Sequence, residues 1–394
     1  MIYRENIKNG DKLSQLGFGC MRFPRKGTSI DIARSREMVH DAIEKGVNYF
    51  DTAYIYPGSE VALGQILTDE LRKKVFIATK LPVIITRTAG DIDKYFNKQL
   101  ERLNTDYIDY YLTHMLTSLT DFEKIKNFGI EDWIARQKNS GRIRNIGFSF
   151  HGAKGEFKKI VDAYDWDFCM IQYNYLDENY QAGFEGLQYA HAKGMPVMIM
   201  EPLRGGKLIN GLPQKAVKEF KDANAERSLA DWGLRWVWNH PEVTLLLSGM
   251  GSQEQVDENI RLASEIAQHN LTAQELAVYK KIYGYLKESI KVNCTACGYC
   301  VPCPAGLDIP NIFSNYNEYY TENRMESLMQ YMVSAGISPK QPAYASRCKG
   351  CGKCEKHCPQ NIEIMNVLRD ASKVLEPFWL KPVASIARTF TRAK

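Results

Sequence analysis

The chain has 394 residues, 44% of them hydrophobic, and a net charge of +5 spread along its length. Such a chain can bury a sizeable core, as one barrel of roughly 250 residues with a smaller module or as roughly two to three ordinary domains. The dispersed charge excludes the basic stripe that nucleic-acid binding needs; the N-terminal MIYREN lacks the apolar core of a secretion signal and no apolar run reaches the roughly 18 residues of a membrane span, so a cytoplasmic protein is expected.

From about residue 15 to 265, short β-branched or aromatic runs alternate with longer amphipathic stretches, the pattern of repeated βα units. The predicted strands are Gln15 to Cys20, Val47 to Phe50, Val75 to Thr79, Tyr107 to Leu112, Ile143 to Phe148, Phe168 to Ile171, Pro196 to Met200 and Val243 to Leu247. Between them the period is helical: Ser35 to Lys45 places Met38, Val39, Ala42 and Ile43 on one face, and Gly46 follows as a stop. Eight such units closing on themselves give an α/β fold, a (β/α)8 barrel over residues 1–270, with Ile2 to Ser14 a short hairpin across its bottom. An open doubly wound sheet would carry a G-x-G-x-x-G turn after its first strand, and none follows Gly19. Cys20 and Cys169 fall in strand-like runs and read as buried reduced thiols, Cys20 alone near a site.

Beyond the barrel, 271–290 reads as a connecting helix, capped by Thr272 with Glu275 three residues on. Residues 291–375 then hold eight of the ten cysteines, in the strings Cys294-Thr-Ala-Cys297-Gly-Tyr-Cys300-Val-Pro-Cys303-Pro and Cys348-Lys-Gly-Cys351-Gly-Lys-Cys354-Glu-Lys-His-Cys358-Pro. The second is the C-x2-C-x2-C-x3-C-P run of bacterial ferredoxins, whose first three thiolates hold one [4Fe–4S] cluster and whose fourth ligates the other. One cluster is accordingly assigned to Cys294, Cys297, Cys300 and Cys358, the other to Cys348, Cys351, Cys354 and Cys303. The first string is one residue short between its last cysteines, so Cys303 is the weaker assignment. Zinc is the plainer alternative, but structural zinc usually takes separated C-x2-C pairs or Cys/His mixtures. A disulfide framework fits a long chain without a secretion signal less well still. The 44 residues between Cys303 and Cys348 contain helix-compatible stretches, Asn311 to Tyr320 and Met325 to Ser334, which point to a small, mainly helical two-cluster domain.

The tail, 376–394, sets Leu380, Val383, Ile386, Ala387 and Phe390 against Lys381, Arg388, Arg392 and Lys394. A basic amphipathic helix can lie on a membrane surface; docking on the protein itself is the commoner outcome and the expected one.

Four ionisable residues stand at or just beyond the C-terminal ends of consecutive predicted strands, where barrel chemistry happens. Asp51 follows VNYF, Tyr56 comes five residues later, Lys80 follows VFIAT and His114 follows YIDYYLT. A buried lysine beside a tyrosine favours phenolate, and an aspartate keeps that lysine charged. Taken singly, each would more often be structural, His114 a bonded core histidine and Asp51 a cap.

Together, FDTAYIYPGSE at 50–60, ATK at 78–80 and His114 resemble the tetrad of the aldo-keto reductases. Further matches follow in order: YRENIKNGDKLSQLGFGCMRFP, IGFS at 146–149, QYN at 172–174, EPLRGG at 201–206 and QVDEN ending at Asn259. With the cysteine strings, the chain resembles an iron–sulfur subgroup of that family with a C-terminal two-cluster domain. The resemblance implies Tyr56 as general acid, Lys80 and Asp51 as its tuning pair and His114 as orienter of the carbonyl. It implies Ser149 and Gln172 at the nicotinamide carboxamide of NAD(P)H and Glu258 with Asn259 at the adenine end. Met21, Arg22, Leu203, Gly205, Gly249 and Gln255 complete the implied cofactor-binding set; Arg22 could hold an acidic substrate or a phosphate, or be a surface ion pair.

The departures from that pattern bear on the cofactor. Phe150 stands where the family usually has asparagine, Met200 where many members stack an aromatic ring, and the turn SGMGS at 248–252 lacks the cation that meets the NADP phosphate. The pocket therefore suits NAD or another cofactor, and a flavin such as FMN would reconcile two-electron hydride chemistry with one-electron clusters. The expected function is carbonyl reduction, or its reverse, on a small substrate walled by Met115 to Asp132. The alternatives are an oxidoreductase fed by ferredoxin or another redox protein through its clusters, and a regulatory nucleotide-binding subunit with little turnover, which the intact tetrad disfavours. No nucleic-acid partner is expected.

Overall fold

The computed structural model of the chain describes residues 1–152, 154–321, 324–337 and 341–392. Eight parallel strands close a barrel: β1 Leu16–Gly19, β2 Tyr49–Asp51, β3 Phe76–Leu81, β4 Ile108–Leu116, β5 Ile143–Phe150, β6 Phe168–Gln172, β7 Val197–Met200 and β8 Val243–Ser248. Each pairs with the next and β8 returns to β1. These strands match the predicted runs because a parallel sheet covered on both faces must be apolar nearly throughout. β4 is buried at every position but Met115.

Side chains fill the barrel interior. Tyr49, Tyr110, Phe168, Met170, Met198 and Leu245 pack there with Leu13, which comes from the antiparallel hairpin Tyr3–Glu5 with Lys12–Ser14. The hairpin is pinned by the Tyr110 hydroxyl, which donates to Asp11 Oδ2 at 2.6 Å and accepts from Asn6 Nδ2 at 3.1 Å. Gly147 in β5 has no room for a side chain, since a Cβ would stand 2.6 Å from the Phe168 carbonyl oxygen.

The chain divides into two compact units, Met1–Leu203 with Ala230–Thr272, and Arg204–Leu229 with Ala273–Lys394. In this division the segment after β7 groups with the second unit. Its helix Gln214–Ala223 buries Ala216 and Phe220, and that face needs a partner. Helix Ala273–Ser289 supplies it: the Phe220 and Tyr279 rings lie 5.6 Å apart and Lys281 pairs with Glu219 at 2.5 Å.

The second unit has its own core. Ile309, Ile312 and Phe313 from helix Ile309–Thr321 pack with Leu328, Tyr331, Leu368 and Leu375. The tail forms helix Leu380–Arg392, whose Leu380 and Ala384 are fully buried in that core while Val383 and Ile386 are exposed. Lys381 of this helix pairs with Glu376 at 2.8 Å. Lys394, counted among the tail's cations, lies outside the described residues. No helix among the described residues is long and apolar enough to cross a membrane.

Candidate active site and cluster-binding cysteines

Asp51 ends β2, and Lys80 and His114 lie near the ends of β3 and β4, so neighbouring strands carry them to one mouth of the barrel. Lys80 Nζ donates to Asp51 Oδ1 at 2.6 Å, to Asp51 Oδ2 at 2.7 Å and to the Thr52 carbonyl at 2.7 Å, using all three of its protons. Both side chains are buried. Burial pushes the Asp51 carboxyl up, while the charge and hydrogen bonds of Lys80 pull it back.

Tyr56 rides on the turn after β2. That turn is fixed where Tyr56 N–H donates to the Ala53 carbonyl at 3.0 Å and Ser59 Oγ donates to the Cys20 carbonyl at 3.0 Å. The Tyr56 ring centre lies 5.2 Å from Lys80 Nζ and meets the His114 ring edge-on at 6.0 Å. The four tetrad residues are thus neighbours, with Tyr56 half-buried at the opening.

Two further groups belong to this mouth. His151, immediately after β5, is buried and lies within the electrostatic reach of both Lys80 and His114. Burial, reinforced by Lys80, depresses His151 to about 4 against a hydrogen bond with Gln181 that raises it. His114 falls well below its ordinary value through burial, then Lys80, then His151, so both imidazoles are neutral at neutral pH. The sequence signal that finds His114, an ionisable residue at the end of an apolar run, also fits His151 after IGFSF. Cys20 is the second: fully buried, its thiol is pushed up by burial and by Asp51.

The residues implied for cofactor binding are distributed as follows. Ser149 accepts from the Met115 N–H at 2.8 Å, and the Gln172 amide donates to Asp177 at 2.7 Å and stands beside Gln181. Met21 and Arg22 form a short turn after β1. The Arg22 side chain lies along Gly249, where an added Cβ would stand 2.9 Å from Arg22 Cδ, so the SGMGS turn has a cation beside it although none within it. Gln255 accepts from Gly251 N–H at 2.8 Å, Asn259 donates to Ser248 Oγ at 3.0 Å, and Glu258 is half-buried one position before it. Leu203 closes the barrel unit, whereas Gly205, at φ 64°, belongs to the second. Nothing in the site supports a flavin.

In the second unit, Cys294, Cys297, Cys300 and Cys358 line one cavity. Cys303, Cys348, Cys351 and Cys354 line another of about 250 Å³, with Cys300 at its edge. Positive φ at Gly298, Gly350 and Gly352 bends the loops around them, a conformation glycine adopts without strain. Backbone N–H groups of Ala296 and Ala305 donate to Cys294 and Cys303 Sγ at 3.4 Å, a type of contact that tunes cluster potential. All eight are free of disulfides. Cys294 also borders a cleft holding Arg204 and Lys207, both of whose charges act on it. The donor set, soft thiols about both cavities, fits two cubanes.

Comparison with known proteins agrees with this architecture. Residues 15–283 match the model of the aldo/keto reductase family and residues 293–363 that of a 4Fe-4S dicluster domain. Methylglyoxal reductase YeaE of Escherichia coli K12 is 31% identical over 253 residues, 61% of this chain and 81% of its own. The NADH-specific methylglyoxal reductase of the same organism is 25% identical, covering 63% and 89%. The holo form of aldo-keto reductase AKR11C1 from Bacillus halodurans superposes with a TM-score of 0.59 at 26% identity, over 72% of this chain and 96% of that one. The chain is thus an oxidoreductase that belongs to the aldo/keto reductase family, with a 4Fe-4S dicluster domain following its barrel.

Proposed function

We propose that the barrel reduces a small carbonyl compound, or runs the reverse reaction, with Tyr56 as proton donor. The observation that carries this reading is the Lys80 ammonium, locked on Asp51 at 2.6 Å and 5.2 Å from the Tyr56 ring. A fixed positive charge there stabilises the phenolate left after proton transfer. Neutral His114, edge-on to Tyr56, holds the substrate oxygen by a hydrogen bond from its ring N–H. A nicotinamide dinucleotide supplies the hydride when bound. Ser149 and Gln172 would orient its carboxamide, Arg22 would meet a phosphate at the Gly249 turn, and Glu258, Asn259 and Gln255 would hold its adenine end. The relatives named as methylglyoxal reductases make short 2-oxoaldehydes the first substrates to assay, with NADH before NADPH.

The cysteines would hold two [4Fe–4S] clusters, one on Cys294, Cys297, Cys300 and Cys358 and the other on Cys303, Cys348, Cys351 and Cys354. A second reading, in which electrons enter through the clusters from another redox protein, is favoured by one observation: Cys351 is solvent-exposed.

The test is Tyr56→Phe in anaerobically prepared protein. Methylglyoxal reduction should fall at least about a hundredfold in kcat, with the iron–sulfur absorbance unchanged. Activity that survives the substitution shows that another group donates the proton.

A further inference from the structure

We propose that the surface around Cys351 docks an acidic one-electron carrier protein, which exchanges electrons with the cluster behind it. The inference rests on the reading that Cys303, Cys348, Cys351 and Cys354 hold a cluster, and goes beyond it by assigning a face and a partner chemistry.

The two cysteine cavities differ in kind. The one bordered by Cys294, Cys297, Cys300 and Cys358 is lined by apolar and neutral residues, with no charged side chain. The other has Lys349, Lys353 and His357 in its wall. Of the eight cysteines in the two strings, Cys351 is the exposed one. An exposed ligand marks the place where an electron crosses the shortest stretch of protein to reach an outside molecule.

The same loop concentrates positive charge. Arg347, Lys349, Lys353 and Lys356 fall within ten positions, and all are exposed. The carboxylate among them, Glu355, is turned away and accepts from the Met365 N–H at 2.8 Å. Elsewhere in this chain surface lysines commonly pair, as Lys45 does with Asp257 and Lys193 with Asp162. Among the described residues, Lys349, Lys353 and Lys356 form neither an ion pair nor a side-chain hydrogen bond. Three exposed ammonium groups without a carboxylate partner among the described residues, set around one exposed cysteine, offer charge complementary to an acidic surface. Electron-transfer encounters use small interfaces, so a rim of this size suffices to orient one, and charge complementarity acts mainly on the rate of encounter. In the exchange the reduced carrier gives up one electron and the cluster takes it; no bond forms or breaks.

The experiment uses the full cluster-loaded chain under anaerobic stopped flow, following the bleaching of cluster absorbance. The probes are a reduced acidic plant-type [2Fe–2S] ferredoxin and, as a small cationic control, reduced methyl viologen. For the native chain the ferredoxin rate should fall steeply with ionic strength. Combining Lys349→Glu, Lys353→Glu and Lys356→Glu should lower it about tenfold or more at low salt, with the difference closing at high salt. The viologen rate should be undiminished, which separates lost docking from a damaged cluster. A loaded triple variant reduced by ferredoxin as fast as the native chain overturns the docking face alone. A chain that takes up no iron overturns the cluster reading, and the docking proposal with it.

Discussion

Lys80 shows what burial demands of a charged group. Three acceptors meet its three protons, and the ordering fixes a positive charge beside a half-buried phenol. The tetrad was legible in the sequence because each member interrupts or follows an apolar run, and in a closed parallel barrel those positions share one rim. His151 obeys the same rule after IGFSF, and its environment depends on Gln181, thirty positions away. Its depressed value has a consequence for stability. A histidine neutral when folded and ordinary when unfolded stabilises fully above the unfolded value near 6.5 and loses that contribution as pH falls toward about 4. Between pH 7.5 and 5.5 the native chain should therefore lose about 1.4 kcal/mol more than His151→Gln, measured by urea unfolding monitored on tryptophan fluorescence. Equal losses in the two proteins would show that His151 titrates normally.

Behind β3 the support is polar rather than apolar. Buried Glu60 accepts from Thr79 at 2.6 Å, from Gln99 at 2.8 Å and from Arg102 at 3.0 Å, while Gln99 also donates to the Lys80 carbonyl at 3.1 Å. This network holds the strand that presents Lys80. Glu60→Ala leaves the buried Thr79 hydroxyl without its acceptor and takes the carboxylate from Arg102, while Gln99 keeps Thr79 Oγ1 and the Lys80 carbonyl; it should cost about 2 kcal/mol, whereas Glu60→Gln, which keeps one acceptor, should cost less, and thermal unfolding of the two variants tests the order. The role of Glu60 could not be read from the sequence, where it closes FDTAYIYPGSE as an ordinary helix-start acid. The strands themselves were legible from their apolar runs, and their ends shifted by a few residues because hydrogen-bond pairing, not composition, decides where a strand stops. That Tyr279 covers Phe220 could not be read from the sequence, since an amphipathic helix shows that one face is covered and not by which partner.

For the whole molecule, the crossed pattern of cysteines predicts how the clusters fail separately. If Cys358 serves the first cavity, Cys358→Ala should bring iron from about eight to about four per chain, with the cluster behind Cys351 retained in the electron paramagnetic resonance spectrum. Loss of both signals, or of neither, would contradict the crossed assignment. The ferredoxin run suggested this pairing; one cavity is lined by Cys294, Cys297, Cys300 and Cys358, the other by Cys303, Cys348, Cys351 and Cys354 with Cys300 as well. What spacing could not reveal is the difference between the cavities, one neutral and one rimmed with lysines, because that depends on which loop faces solvent.

The path of the backbone has a consequence for where the chain can be divided. The chain leaves the barrel unit after Leu203, contributes residues 204–229 to the second unit, and returns at Ala230 to complete the seventh βα unit and then the eighth. Phe220 of the segment and Tyr279, the ring that covers it, both fall within the aldo/keto reductase match at 15–283. A cut near residue 272 strands the amphipathic helix Gln214–Ala223, whose Phe220 loses the Tyr279 ring against it. A barrel prepared alone therefore keeps Phe220 covered only if the cut falls beyond helix Ala273–Ser289.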